Sequence, residues 1–304
     1  VYHRRGGGNA AGGWACSGPT YTKADFRPLY DGACMGVRQP GSAFQPFNYV
    51  TGINDKAITA GTMFMDVVTD FGGGYTPTDA DRLERGPVRV RNALQFSLNI
   101  PAVKAMAINK PDHVFAKAEE FGMQFQGKRT AELALALGVQ EVRPVDLATA
   151  YGTLANGGKE IPHTAILTIK DANGTDVKPP YVPPAGTQVV SPQAAFIVTD
   201  ILAGNTNKNI NPFWGKFSIN GPTGRRPATL KTGTNNDAKD LNAYGYITPQ
   251  TEKGRRTGAD RLAVGFWHVN SAHSLMSPSR APRVSHSVAP SIPAPSLGQV
   301  TPPR

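Results

Sequence analysis

The stretch RQPGSAFQPFNYV, Arg38 to Val50, sets the reading of the whole chain. Its Pro-Gly-Ser leads into a segment that reads as a helix, a way to present the Ser42 hydroxyl at a helix N-terminus. A serine hydroxyl is a weak nucleophile until a neighbouring base takes its proton. One helical turn on, where a lysine would serve, the chain has Gln45. A carboxamide donates and accepts hydrogen bonds but has no usable proton affinity near neutral pH. The stretch therefore pairs a presented nucleophile with a missing base.

Outward from that helix, prolines open helices and glycines close them. Pro87 precedes VRVRNALQFSLN, Pro101 opens AVKAMAINK, and Pro111 starts DHVFAKAEEFG, which stops at Gly122. Pro144 starts VDLATAYGTLANGG, and Ser191-Pro192 caps QAAFIVTDILAG. After Arg226 the pattern turns to short β-branched and aromatic runs, PATLKTGT, LNAYGYIT and RLAVGFWHVN, separated by polar turns. Helices followed by a run of strands predict an α+β fold with an antiparallel sheet packed against helices. Residues 1–37 show neither helical nor strand periodicity and read as a poorly structured or divergent segment. Residues 271–304 form a Ser/Pro/Ala-rich tail that reads as disordered, because it has too little apolar surface to offset its ordering entropy. The body is 38–270.

A chain of 304 residues with 39% hydrophobic and 18% charged residues has a soluble, globular composition. No run approaches the roughly 18 apolar residues of a membrane span, and residues 1–25 lack the apolar centre of a signal peptide. The net charge of +10 is spread over scattered basic residues without interleaved aromatics or a basic helix, which argues against a nucleic-acid partner. Cys16 and Cys34 show no disulfide framework, and unpaired is the preferred reading. The six histidines have no metal-ligand spacing, so neither a metal nor a cofactor is expected. Carboxylates pair by proximity at Asp66 and Asp70 and at Asp79 and Asp81, with nothing around them that calls for acid/base work.

Three motifs follow one another: Ser42 in SAFQ, Ser97-Leu98-Asn99, and Lys231-Thr232-Gly233-Thr234. With the phrases RQPGSAFQPFNYV, ALQFSLNIPAVK and LALGVQEVRPVDLATAYGTLANGG, they resemble the transpeptidase domain of the class A, bifunctional penicillin-binding proteins, over about Val37 to Asn270. The resemblance implies the fold shared by penicillin-binding proteins and serine β-lactamases. It implies acyl transfer from D-Ala-D-Ala stem peptides of peptidoglycan through a serine acyl-enzyme, and binding of β-lactams. It also implies a place in the bacterial cell envelope, on the outer face of the cytoplasmic membrane, with membrane association only through parts absent from this chain.

In that resemblance Ser42 is the nucleophile, and Gln45 occupies the base position. Ser97 relays a proton to the leaving amine, and Asn99 holds the substrate amide. Lys231, Thr232 and Thr234 meet the terminal carboxylate, Gly233 lets the substrate backbone approach, and the backbone N–H groups of Ser42 and Thr234 face the oxyanion. Loss of a general base is worth roughly 10²- to 10⁴-fold in rate, so the chain is expected to be catalytically impaired. The alternative is a non-catalytic module, derived from the same domain, that binds wall peptides or serves as a scaffold. The strands and the phrase that precede the nucleophile helix in the family are not legible in residues 1–37, and the sequence after Trp267 also departs from the family pattern.

Overall fold

A computed structural model describes residues 2–5, 32–129, 132–164, 166–221, 224–235, 240–247, 250–252, 255–257 and 261–269. Most of the expected unstructured N-terminal segment, 6–31, and the whole expected tail, 271–304, lie outside the described residues.

The chain folds as helices packed on an antiparallel sheet. A 3₁₀ turn, Gly41–Phe44, runs straight into helix α1, Gln45–Asn54, whose residues are buried through Ile53. Phe47 anchors this helix, its ring edge-on to Phe121 and to Tyr151 with centroids 5.3 Å away in each case. Helices α2 (Val90–Gln95), α3 (Asn99–Asn109), α4 (Pro111–Glu120), α5 (Pro144–Ala155) and α6 (Pro192–Ala203) follow. Three of them begin where proline predicts. Pro111, Pro144 and Pro192 each occupy a first-turn position, where a missing N–H costs nothing. Ser191 Oγ also accepts from the Ala194 amide at 3.2 Å, a side-chain cap on α6.

Two helix starts differ from expectation. Pro87 lies in a strand, Gly86–Arg89, which pairs antiparallel with Met63–Asp66. Proline has no N–H to give a ladder, and a two-stranded ribbon tolerates that gap. Helix α3 begins at Asn99, two residues before Pro101, because Asp79 supplies a cap from outside the helix.

The sheet runs in the order Tyr2–Arg5, Arg261–Val269, Asp240–Ile247, Lys231–Thr234, and every pair is antiparallel. The last three are the expected meander, although of PATLKTGT only KTGT is strand, with Ala228 contributing a single bridge to Ile247. Tyr2–Arg5, for which no strand periodicity was legible, takes the far edge by backbone pairing to Arg261–Val264. Helix α5 is buried along its entire length between the sheet and the other helices. Tyr151 on α5 stacks on Tyr244 of the sheet at 5.2 Å, and its hydroxyl donates to the Ala43 carbonyl at 2.8 Å. One residue thus ties the sheet, the central helix and the Ser42 turn together. Among the described residues no helix is long and apolar enough to cross a membrane.

Candidate active site

The Ser42 turn and the KTGT strand meet backbone to backbone. A Cβ on Gly233 would stand 2.1 Å from the Pro40 carbonyl oxygen, and one on Gly41, at φ +59°, would stand 2.3 Å from that of Thr234. Only glycine allows this approach at either position. Asn242, opposite Gly233 in the ladder, completes the seam by donating from Nδ2 to the Pro40 carbonyl at 3.0 Å. Ser42 itself is half-buried at the rim of this seam.

Gln45 lies one turn beneath. It is fully buried, and neither amide atom finds a hydrogen-bond partner among the described residues. An unsatisfied buried polar group costs about 1–3 kcal/mol. The side chain at the base position is therefore sealed from solvent and anchored to nothing.

The second and third motifs meet through their side chains. Lys231 Nζ donates to Ser97 Oγ at 2.7 Å and to the Thr232 carbonyl at 3.0 Å. Lys231 is 2% exposed, and burial pushes its ammonium from 10.5 down to about 7. No hydrogen bond joins Ser42 to Ser97 or Lys231 among the described residues. Ser97, Lys231, Thr232 and Trp214 line a crevice beside this pair that, as it stands, has no room for a water molecule. Thr232, which lines the crevice, is half-buried, and Thr234, two residues further along the strand, is exposed.

Ser97 stands at φ +59°, a left-handed conformation that strains a residue with a side chain. The strain follows from the local chain path. Helix α2 ends at Gln95, and α3 starts at Asn99, so Ser97 must reverse the backbone between them. Asn99 thus opens a helix rather than ending one. Its side chain is turned to the neighbouring loop, Nδ2 donating to the Thr78 carbonyl at 2.9 Å.

Two supports of the site had no legible signal in the sequence. The first is an amide strut. Asn211 Nδ2 donates to the Gln95 carbonyl at 3.3 Å and to Asn205 Oδ1 at 3.2 Å, while Asn205 Nδ2 donates to the Leu230 carbonyl at 2.7 Å. It bridges the residues just before Ser97 and Lys231. The second is a carboxylate cluster behind Asn99. Asp79 Oδ1 accepts from the Asn99 amide at 2.6 Å and the Ile100 amide at 3.2 Å. Arg85 Nη1 reaches Asp79 at 3.2 Å and Asp66 at 3.4 Å. Arg85 also pairs with Asp81, so the Asp79 and Asp81 pair close in sequence shares its guanidinium with Asp66 from the hairpin, while no hydrogen bond or ion pair among the described residues joins Asp70 to this cluster. A larger groove of about 490 Å³, lined by Met63, Arg89 and Phe96 among others, flanks the second motif but includes none of Ser42, Ser97 or Lys231.

Comparison with known proteins bears on the family and the fold. Residues 14–253 match the family model described as the penicillin binding protein transpeptidase domain. Penicillin-binding protein 2D of Bacillus subtilis is 30% identical over 256 residues, covering 80% of this chain and 35% of its own. Penicillin-binding protein 1A of Neisseria cinerea is 28% identical over 226 residues, covering 71% of this chain and 27% of its own. The chain thus spans about a third of the length of these relatives or less. Among solved structures, the penicillin-binding protein PonA1 of Mycobacterium tuberculosis superposes with a TM-score of 0.67 at 20% identity, over 81% of this chain and 64% of that one. The same protein is also known in complex with penicillin V. At that identity the likeness speaks for the fold, which is the penicillin-binding-protein transpeptidase fold.

Proposed function

Because the chain belongs to the penicillin-binding-protein transpeptidase family, among its class A domains, we propose that its cleft binds D-Ala-D-Ala stem peptides and β-lactams at the outer face of a bacterial cytoplasmic membrane. The observation that carries this reading is the buried Lys231–Ser97 hydrogen bond beside a KTGT strand that abuts the Ser42 turn. A carboxylate laid along the KTGT strand meets the hydroxyls of Thr232 and Thr234, with the buried Lys231 amine behind them once the crevice widens, a charge-assisted arrangement suited to a peptide C-terminus or the carboxylate of a β-lactam. Ser42 is then the attacking hydroxyl, Ser97 the group nearest the departing amine, and Asn99 a holder of the substrate amide.

Acylation is impaired in this reading. Gln45 offers no proton acceptor, and Lys231, the one amine in the cleft among the described residues, is hydrogen-bonded to Ser97 rather than to Ser42. That observation favours a second reading, a binding module that keeps the pocket without turnover. Intact-protein mass spectrometry after incubation with benzylpenicillin separates them. A stable adduct on Ser42 supports the acyltransferase; equilibrium binding of a D-Ala-D-Ala peptide with no adduct supports the binding module; neither adduct nor binding refutes the site.

A further inference from the structure

We infer that Asp79 is a positioning residue for the second motif: its carboxylate fixes where α3 begins, and thereby the stations of Ser97 and Asn99. This deepens the proposed function and rests on it for the ligand, but the geometry stands alone. Asp79 is 3% exposed and sits twenty residues before the amide it receives most closely, that of Asn99. Among the described residues it is the one side chain that caps the start of α3, since Leu98, at the N-cap position, offers no side-chain hydrogen bond. Asn99 makes a second tie to the same loop through the Thr78 carbonyl. The chain between Ser97 and Ile100 is thus gripped by residues 78 and 79, next to a serine held in a strained conformation.

The grip is itself braced. Arg85 joins Asp79 to Asp66 and also pairs with Asp81, and its backbone amide donates to the Asp66 carbonyl at 3.0 Å. Lys104, on α3, donates to the Met65 carbonyl at 2.6 Å, pulling the hairpin strand onto the helix that Asp79 caps. Asp66 is fully buried, and its Oδ1 finds no hydrogen-bond partner among the described residues. The charged or titratable groups facing Asp79 are therefore Asp66 from the hairpin, Arg85 from the end of the loop, and the Tyr49 phenol from α1. Desolvation by burial and then the hydrogen bond with Asp66 push the Asp79 carboxyl up to about 6, against the pull of the Ile100 and Asn99 amides. Above that pH the carboxylate caps α3 in full. Below it the Asp79 carboxyl is protonated, and its hold on the two amides slackens.

The test needs no variant at first. Amide ¹⁵N–¹H shifts of Ser97, Asn99 and Ile100 are followed from about pH 4.5 to about pH 8 in the full chain. They are expected to move together with a midpoint near 6, and the movement is expected to vanish in Asp79→Asn and persist in Asp81→Asn. In a Ser42→Ala background, which blocks acylation, equilibrium affinity for benzylpenicillin is expected to rise from about pH 5 to pH 7. Asp79→Asn is expected to remove that rise and weaken binding at about pH 7 roughly tenfold, the scale of one hydrogen bond to a charged group. Shifts that do not titrate, or that titrate equally in Asp79→Asn, overturn the inference. If the amides titrate as expected but benzylpenicillin does not bind Ser42→Ala at any pH, the ligand assignment falls and the positioning role stands.

Discussion

Replacing Lys231 by methionine tests the electrostatic centre of the site in one measurement. Methionine keeps the length of the chain and removes the amine. Burial lowers the folded-state pKa of Lys231 from 10.5 to about 7. Between those values the unfolded chain holds a proton that the folded chain has given up, so this residue makes stability rise with pH across the window. Each unit is worth about 1.4 kcal/mol, so the rise between about pH 7 and pH 9 is roughly 2–3 kcal/mol. Below pH 7 both states carry the proton, and the penalty for burying the charge is present in full. The assay is urea unfolding of both proteins at intervals from about pH 6 to pH 9. The stability of Lys231→Met relative to the parent should be greatest at the acid end and fall by that amount on the way to pH 9. The comparison cancels the other titrating groups to first order. A difference that stays flat with pH refutes the account of Lys231 as a buried amine poised near neutrality. The same protonation enters binding: a ligand carboxylate draws Lys231 back to its charged form. Pre-covalent affinity for benzylpenicillin should therefore fall as pH rises above 7, approaching tenfold per unit.

Gln45→Lys should raise the rate of acylation by a fluorescent penicillin by roughly 10²-fold or more, and Ser42→Ala in the same protein should abolish the gain. No gain in a folded Gln45→Lys protein would remove Ser42 from the role of nucleophile. Phe47→Ala, which empties the edge-on contacts to Phe121 and Tyr151, should lower stability by about 3–5 kcal/mol in denaturant titration; a loss under about 1 kcal/mol would mean that α1 is not anchored there. Gly233→Ala forces a Cβ against the Pro40 carbonyl, so it should part the KTGT strand from the Ser42 turn and weaken equilibrium benzylpenicillin binding far more than Gly61→Ala, at a glycine without a positive φ whose added Cβ would meet nothing nearer than Thr59 Oγ1 at 3.8 Å. Equal effects of the two would refute the close approach.

What the sequence discloses follows from how local each signal is. The helices at Pro111, Pro144 and Pro192 were legible because their start signals lie within a few residues of the helices themselves. The three strands of the meander were legible because alternation and turns are also local, and their order in the sheet is their order in the chain. The carboxylate cluster was hidden because Asp66, Asp79 and Asn99 are joined only by the hairpin that returns the chain at Gly86–Arg89, and that strand was masked by its proline. The asparagine strut was hidden for a related reason. Asn205 and Asn211 read as loop residues, and their partners at Gln95 and Leu230 are backbone carbonyls that carry no residue-type signal. Motif order grouped Ser42, Ser97 and Lys231 as candidates, but did not tell that Lys231 would hydrogen-bond to Ser97, that Ser97 would be strained or that Gln45 would lie buried without a hydrogen-bond partner among the described residues.

The site's two halves rest on different supports, and this decides what the loss of a base costs the rest. Ser42 is carried by the 3₁₀ turn, which Tyr151 fixes at the Ala43 carbonyl and the paired glycines fix against the KTGT strand. The Ser97–Lys231 pair is carried by the asparagine strut on one side and by the capped start of α3 on the other. Gln45 takes part in neither set of bonds. Among the described residues, no hydrogen bond that positions Lys231, Ser97 or Asn99 involves the residue at 45, so on the proposed reading a glutamine there withholds a proton acceptor without withdrawing a strut. On the proposed reading, such a site would lose its chemistry through the one residue at 45 and keep the Lys231 amine, two hydroxyls and a strand edge for a carboxylate-bearing peptide. The same independence is why restoring one lysine is expected to be enough.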